Sequence, residues 1–166
     1  MNEFENKIVL ITGGADGIGK GCVMRFVEQG ATVLIGDIQE VRGRALANEL
    51  GSSTHFIPLD VTDNKSWKDA VELITKDFGS LHVLVNNAGI SARNSIEDMD
   101  LIEWQAIHSV NVDGIFLGCH HVIPLMHASG GGSIVTISSA LGLKPFSMYP
   151  AYCSAKAAAR MLTKTL

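Results

Sequence analysis

Lys7-Ile8-Val9-Leu10-Ile11-Thr12 runs directly into Gly13-Gly14-Ala15-Asp16-Gly17-Ile18-Gly19, and this stretch decides the fold. The first six residues are mostly apolar and β-branched, the pattern of a strand buried on both faces in a parallel sheet. Beyond Gly19, the apolar residues Cys22, Val23, Phe26 and Val27 recur at helical spacing until Gly30. Strand, glycine turn and helix in that order form the setting in which clustered glycines mean dinucleotide binding. They let the chain turn tightly and let a pyrophosphate approach the helix N-terminus, where free N–H groups and the helix dipole favour an anion. The spacing is Gly-x-x-x-Gly-x-Gly rather than the commoner Gly-x-Gly-x-x-Gly.

Working outward, a second strand, Thr32–Gly36, ends at Asp37, roughly 20 residues past the glycines, where a ribose-binding acid belongs. A carboxylate there accepts from ribose hydroxyls and repels a 2′-phosphate. Asp16 adds negative charge in the same region, and neither Ile38 nor Gln39 is basic, so the preference is for NAD over NADP. Strands and helices then alternate. A helix is expected from about Gln39 to Leu50, a strand over Thr54–Leu59, and a helix from Asn64 with Trp67, Ala70, Val71 and Ile74 facing inward. A fourth strand follows at Leu81–Val85. A long helical region covers Leu101–Ala128, broken in pattern around Asn111–Gly114. The fifth strand is Ser133–Ile137, and a last helix begins near Pro150, a residue tolerated in a first helical turn. This predicts an α/β fold, a doubly wound parallel sheet of Rossmann type with order 3-2-1-4-5, in one dinucleotide-binding domain spanning residues 1–166.

The second informative cluster lies near the end. Tyr152 and Lys156 are four residues apart, which stacks them on one helix face, and Ser139 lies thirteen residues upstream of Tyr152. A free tyrosine ionises near pH ~10, and a neighbouring ammonium favours the phenolate. On its own such a pair also suits an ordinary surface helix. Ser138 and Ser139 compete for an inward-facing hydroxyl, because side chains alternate across a strand. Tyr149 has Cys153 four residues on, which supplies no cation.

Together these residues resemble the short-chain dehydrogenase/reductase family, from Lys7 to the last residue. Thr12-Gly13-x-x-x-Gly17-Ile18-Gly19 looks like its phosphate-binding turn, and Asp60-Val61 falls where the family contacts adenine. Asn86-Asn87-Ala88-Gly89 matches its Asn-Asn-Ala-Gly element, and Asn111 matches the asparagine that anchors a relay water. The family's spacing selects Ser139 over Ser138. The resemblance therefore implies Asn111, Ser139, Tyr152 and Lys156 as catalytic residues. Gly13, Asp16, Gly17, Ile18, Gly19, Asp37, Ile38, Asp60, Val61, Asn87, Ala88 and Gly89, with Tyr152 and Lys156, would hold NAD. It implies hydride exchange between NAD(H) and a secondary alcohol or ketone, and a homodimer or homotetramer. Candidate substrate walls are Ile90–Arg93 and the apolar loop Ala140–Tyr149, which suit a hydrophobic alcohol, cyclic or steroid-like.

Composition agrees. Hydrophobic residues make up 46% and charged residues 18%, enough apolar material for one core, and the net charge of −4 without a basic cluster argues against nucleic acid. No apolar stretch reaches the roughly 20 residues that span a bilayer, and the acidic, polar Met1–Glu5 is no signal peptide, so a cytoplasmic location is expected. Three widely spaced cysteines give no disulfide framework; Cys22 and Cys119 read as core residues. The histidines at 108, 120, 121 and 127 invite a metal reading, but His120 and His121 point to different helix faces and no cysteine or paired acid completes a ligand set, so no metal site is expected. The sequence stops at Met161–Leu166 within a helical pattern, with no sixth strand and a bare fifth-strand edge. It is therefore read as a piece of a longer enzyme lacking the C-terminal strands and substrate lid. The alternative is a truncated, catalytically weak NAD-binding or subunit-interaction protein.

Overall fold

Alternating side-chain direction along the strands builds the core of this computed structural model, which describes residues 2–166. Strand β1 (Ile8–Thr12) lies at the centre of a five-stranded parallel sheet. Its neighbours are β2 (Thr32–Asp37), β3 (Thr54–Pro58), β4 (Val83–Asn86) and β5 (Ser133–Thr136), in the order β3-β2-β1-β4-β5. The register aligns Leu10 with Leu34 and Leu84, and Ile11 with Ile35 and Val85. Since successive residues face opposite sides, each row serves a different layer. The leucine row packs on Trp67, Ala70 and Ile74 of α3 (Asn64–Phe78) and on Val122 and Met126 of α5 (Gly114–Ala128). The Ile11 row packs on Val23 of α1 (Gly17–Glu28) and on Leu46 and Ala47 of α2 (Glu40–Leu50). Helices therefore cover both faces, as a wholly parallel sheet requires.

The element limits follow from local chemistry. Asp16, Asp63 and Asp100 each cap the first turn of a helix with a side-chain oxygen, and Gly79 ends α3 in the left-handed conformation. The fourth strand is shifted from the expected Leu81–Val85 to Val83–Asn86. Leu81 is fully buried but lies before the ladder, so an apolar run overstated the strand there. The third and fifth strands each stop one residue earlier than expected, before Leu59 and Ile137. Cys119 is buried as expected, whereas Cys22 is only half-buried at the margin of the α1 face.

The break expected around Asn111–Gly114 is a π-helical turn, Ser109–Asp113, between α4 (Leu101–His108) and α5. The Asn111 Nδ2 donates to the carbonyl of Ile107, its i−4 residue, at 2.8 Å. A side chain inserted into the i→i−4 ladder unwinds a helix locally. The last helix, α6 (Pro150–Thr163), lays Ala151, Ala155 and Ala159 against α4, the π turn and α5. This docking carries Tyr152 and Lys156 to the carboxyl ends of the strands.

Candidate active site

A cleft of about 650 Å³ opens along the carboxyl ends of the five strands. At one end it is lined by Gly13, Asp16, Gly17, Ile18, Asp37, Ile38, Asp60 and Val61, and at the other by Asn87, Ala88, Gly89, Ser139, Tyr152 and Lys156. Segments spread over the whole sequence thus meet in one depression, at the position where doubly wound sheets bind ligands.

The glycine turn is built for close approach. Gly13 and Gly17 hold φ values of 61° and 54°, the left-handed region that side chains disfavour. Gly19 lies beneath the cleft rather than on its wall; a Cβ there would come within 2.1 Å of the Gly13 carbonyl oxygen and 2.6 Å of Asn87 Nδ2. The Gly17 N–H is taken by Asp16 Oδ1 at 2.8 Å, while no acceptor among the described residues receives the Ile18 and Gly19 N–H groups. These donors at the start of α1 suit an anion. The turn is anchored by Thr12, whose Oγ1 accepts from the N–H groups of Asn87 and Ala88, both at 3.0 Å, and by Asn87 Nδ2, which donates to the Thr12 and Gly13 carbonyls at 2.9 and 3.1 Å.

Asp37 is nearly buried, and each oxygen accepts one backbone N–H: Oδ2 from Ala15 at 3.0 Å and Oδ1 from Gln39 at 2.9 Å. A carboxylate oxygen has room for a second donor, so Asp37 can still receive ribose hydroxyls. Asp16 is paired with Arg42 at 2.8 Å across 26 residues of sequence. Sequence reasoning gave no account of Arg42, because nothing local ties α2 to the glycine turn.

At the other end, Lys156 is buried, and its Nζ donates to the Ile137 carbonyl at 2.9 Å and lies 5.7 Å from the Tyr152 ring centroid. Burial pushes its ammonium down from the ordinary lysine value. Ser138 Oγ donates to the Lys156 carbonyl at 3.0 Å. Ser139 Oγ instead accepts from the Leu141 N–H at 3.1 Å, which leaves its own O–H free. Tyr149 precedes α6 rather than lying on it.

Asn111 is fully buried and sits behind this wall. Its Nδ2 donates to the Ile90 and Ile107 carbonyls, both at 2.8 Å, while Oδ1 has no partner among the described residues. A Cβ built on Gly89 would lie 2.7 Å from Asn111 Oδ1 and 3.3 Å from Lys156 Nζ, so both atoms flank the bare Gly89 α-carbon.

Gln39, Leu59, Val110 and Ile137 also line the cleft without having been singled out; each adjoins a residue that was. Among histidines, His120 stacks on Phe116 and His121 bonds Asn64.

Comparison with known proteins places this geometry. The model of the short chain dehydrogenases matches residues 7–166. The chain belongs to the short-chain dehydrogenase family. A 3-alpha-(or 20-beta)-hydroxysteroid dehydrogenase of Mycobacterium tuberculosis is 45% identical over 96% of this chain and 61% of its own length. A cyclopentanol dehydrogenase of a Comamonas species is 38% identical over 99% of this chain and 67% of its own. The crystal structure of gox2181 superposes with a TM-score of 0.96 at 30% identity, over 99% of this chain and 66% of that one. The chain thus spans a little under two thirds of the length of the mycobacterial hydroxysteroid dehydrogenase. The α/β sheet order expected from sequence is the one observed.

Proposed function

We propose that this chain carries the cofactor and proton-transfer site of an NAD(H)-dependent oxidoreductase acting on a secondary alcohol or its ketone. The observation that supports this reading most is the single cleft in which Gly13, Gly17 and Asp37 share a surface with Ser139, Tyr152 and Lys156. The open N–H groups at α1 and the orphaned Asn111 Oδ1 also suit an extended polar cofactor and an ordered water. Gly13, Gly17, Ile18 and Gly19 would hold the pyrophosphate, Asp37 and Ile38 the adenosine ribose, Asp60 and Val61 the adenine. Asn87, Ala88, Gly89, Tyr152 and Lys156 would flank the nicotinamide half. When bound, the dinucleotide supplies the hydride acceptor or donor.

In the oxidation direction Tyr152 Oη takes the proton of the substrate hydroxyl as the carbinol hydride departs. Ser139 donates its free O–H to the same oxygen and steadies the charge that develops there. Lys156 sets its positive charge beside the phenol and presents its remaining N–H groups towards the ribose and the Asn111 side. Asn111 Oδ1 would hold a water that carries the proton onward, its amide orientation fixed by two carbonyls. In the reduction direction the same groups deliver the proton to the carbonyl oxygen.

The substrate side of the cleft favours an apolar, cyclic secondary alcohol. Ile90 lines the cleft, and Leu143 and Phe146 are more than half exposed on the loop after β5. The names of the mycobacterial and Comamonas relatives fit that chemistry. Exposed Leu101 and Ile102 on α4, Phe116 on α5 and Met161 on α6 support association with further copies, as a homodimer or homotetramer.

The test is NAD reduction with a panel of cyclic and steroidal secondary alcohols, alongside Tyr152→Phe. Turnover is expected to fall by at least about 100-fold in the variant, with NAD still bound. Equal turnover in variant and wild type would overturn the assignment of Tyr152. NAD binding with no turnover in the wild-type 166-residue chain would favour a nucleotide-binding protein instead.

A further inference from the structure

Ser154 lies between Tyr152 and Lys156 in sequence and takes no part in the proposed proton transfer. Its Oγ is 3.1 Å from His108 Nε2, across 46 residues of sequence. His108 closes α4, three residues before Asn111. Its other ring nitrogen, Nδ1, is 3.0 Å from the Trp104 carbonyl oxygen, and the ring stacks on Trp104 with centroids 4.2 Å apart. A carbonyl only accepts, so Nδ1 carries a proton and the neutral ring offers Nε2 to the Ser154 hydroxyl. The Ser154 Oγ also lies within hydrogen-bond distance of the Ala151 carbonyl, at 2.9 Å.

The surrounding contact explains why a directional bond is needed. Helix α6 meets α4 through Ala151 and Ala155, packed on Ile107, with Trp104 and Val112 beside them. Alanines let helices approach closely but present little relief, so such a face resists sliding and rotation weakly. Among the described residues, His108–Ser154 is the one side-chain hydrogen bond that joins α4 to α6. It spans the seam between the segment that carries Asn111 and the helix that carries Tyr152 and Lys156.

We propose that His108 and Ser154 are a pair of positioning residues that set the register of α6 against α4 and the π turn, and through it the placement of Tyr152 and Lys156 relative to Asn111. The inference rests on the proton-transfer reading of those three residues. A displacement well under a helical turn is enough to matter, because misplacement by about 1 Å can cost on the order of 100-fold in rate.

The experiment compares the full chain with Ser154→Ala, His108→Ala, the double variant and Ser154→Thr, which keeps the hydroxyl. Each alanine variant is expected to lose between about 10- and 100-fold in kcat, at unchanged KM for NAD and unchanged melting temperature. The double variant is expected to be no worse than either single one, and Ser154→Thr to restore most of the rate. Unchanged kcat in a folded alanine variant, a loss that tracks a falling melting temperature, or losses that multiply in the double variant would each overturn the proposal. The two alanine variants remove opposite ends of the bond, so if one does not fold the other decides. If the wild type itself shows no turnover, the enzymatic reading has failed on its own account. The positioning role is then decided by solvent exchange of the Asn111 side-chain amide protons: faster exchange in Ser154→Ala upholds it, and unchanged exchange overturns it.

Discussion

Lys156 concentrates the conflict between stability and chemistry. It is buried, and among the described residues its ammonium has only the Ile137 carbonyl as a partner and no ion pair. Burial holds its folded-state value below the ordinary 10.5, so the unfolded chain is the better proton binder. Stability therefore rises with pH from the folded-state value up to the ordinary one. Replacing this cation with an apolar chain of similar length relieves the desolvation. Lys156→Met is expected to stabilise the protein by roughly 1 kcal/mol at neutral pH, while abolishing turnover. Denaturant midpoints across a pH series would check it: the gap from wild type should close as alkaline pH is approached. A Lys156→Met protein less stable than wild type at pH 7 would count against the argument. Asn111 shows the complementary case, since its amide satisfies two carbonyls and only its oxygen is left unpaired.

At the level of elements, the sheet has a titratable seam at the end remote from the cleft. His82, just before β4, accepts the Ile8 N–H on Nδ1 at 2.9 Å and exchanges backbone bonds with Ile8 and Ser133. It thereby helps hold β1, β4 and β5 in line. Burial, with Lys7 adding, holds its imidazole below the ordinary 6.5. Protonation would remove the acceptor, so the bond's contribution is complete above 6.5 and is lost as pH falls through the folded-state value. His82→Asn keeps an acceptor without the titration. Wild type is expected to lose more stability than His82→Asn between about pH 7 and about pH 5, measured by urea unfolding; parallel pH profiles would refute the assignment. The π turn carries the other lesson at this scale. An interrupted apolar pattern around Asn111–Gly114 marked the break, but its cause, the Nδ2 bond to Ile107, is a matter of side-chain geometry.

For the molecule as a whole, ligand binding should couple to folding, because the cleft draws on residues from Gly13 to Lys156. A dinucleotide at about 100 times its Kd stabilises a binding-competent fold by about 2.7 kcal/mol. NAD is expected to raise the melting temperature more than NADP at equal concentration, since the Asp37 carboxylate repels a 2′-phosphate. Asp37→Asn keeps the acceptor for one backbone N–H and removes the charge, so it should narrow that difference. Thermal shifts for both cofactors with both proteins would measure this, and an NADP shift equal to that of NAD in the wild type would contradict the reading of Asp37. The Arg42–Asp16 pair at the rim is more than half exposed on both sides, so its loss should matter little to stability.

The alternation of strands and helices, the sheet order, the glycine turn and the Tyr152–Lys156 pair were legible in the amino-acid sequence alone. These are written in apolar periodicity, in glycines at fixed places and in spacings of four, all set by the backbone within a turn or two. Packing of the elements on one another decided that Asn111 turns its Nδ2 to the Ile90 carbonyl and leaves Oδ1 unpaired, how Ser138 and Ser139 divide their hydroxyls, that Arg42 reaches Asp16, and that Ser154 meets His108. Each of these joins residues 2 to 46 positions apart by a hydrogen bond whose existence depends on side-chain direction. Residue spacing constrains such directions only along one element. Across elements they follow from how the helices dock on the sheet, which the packed core alone specifies.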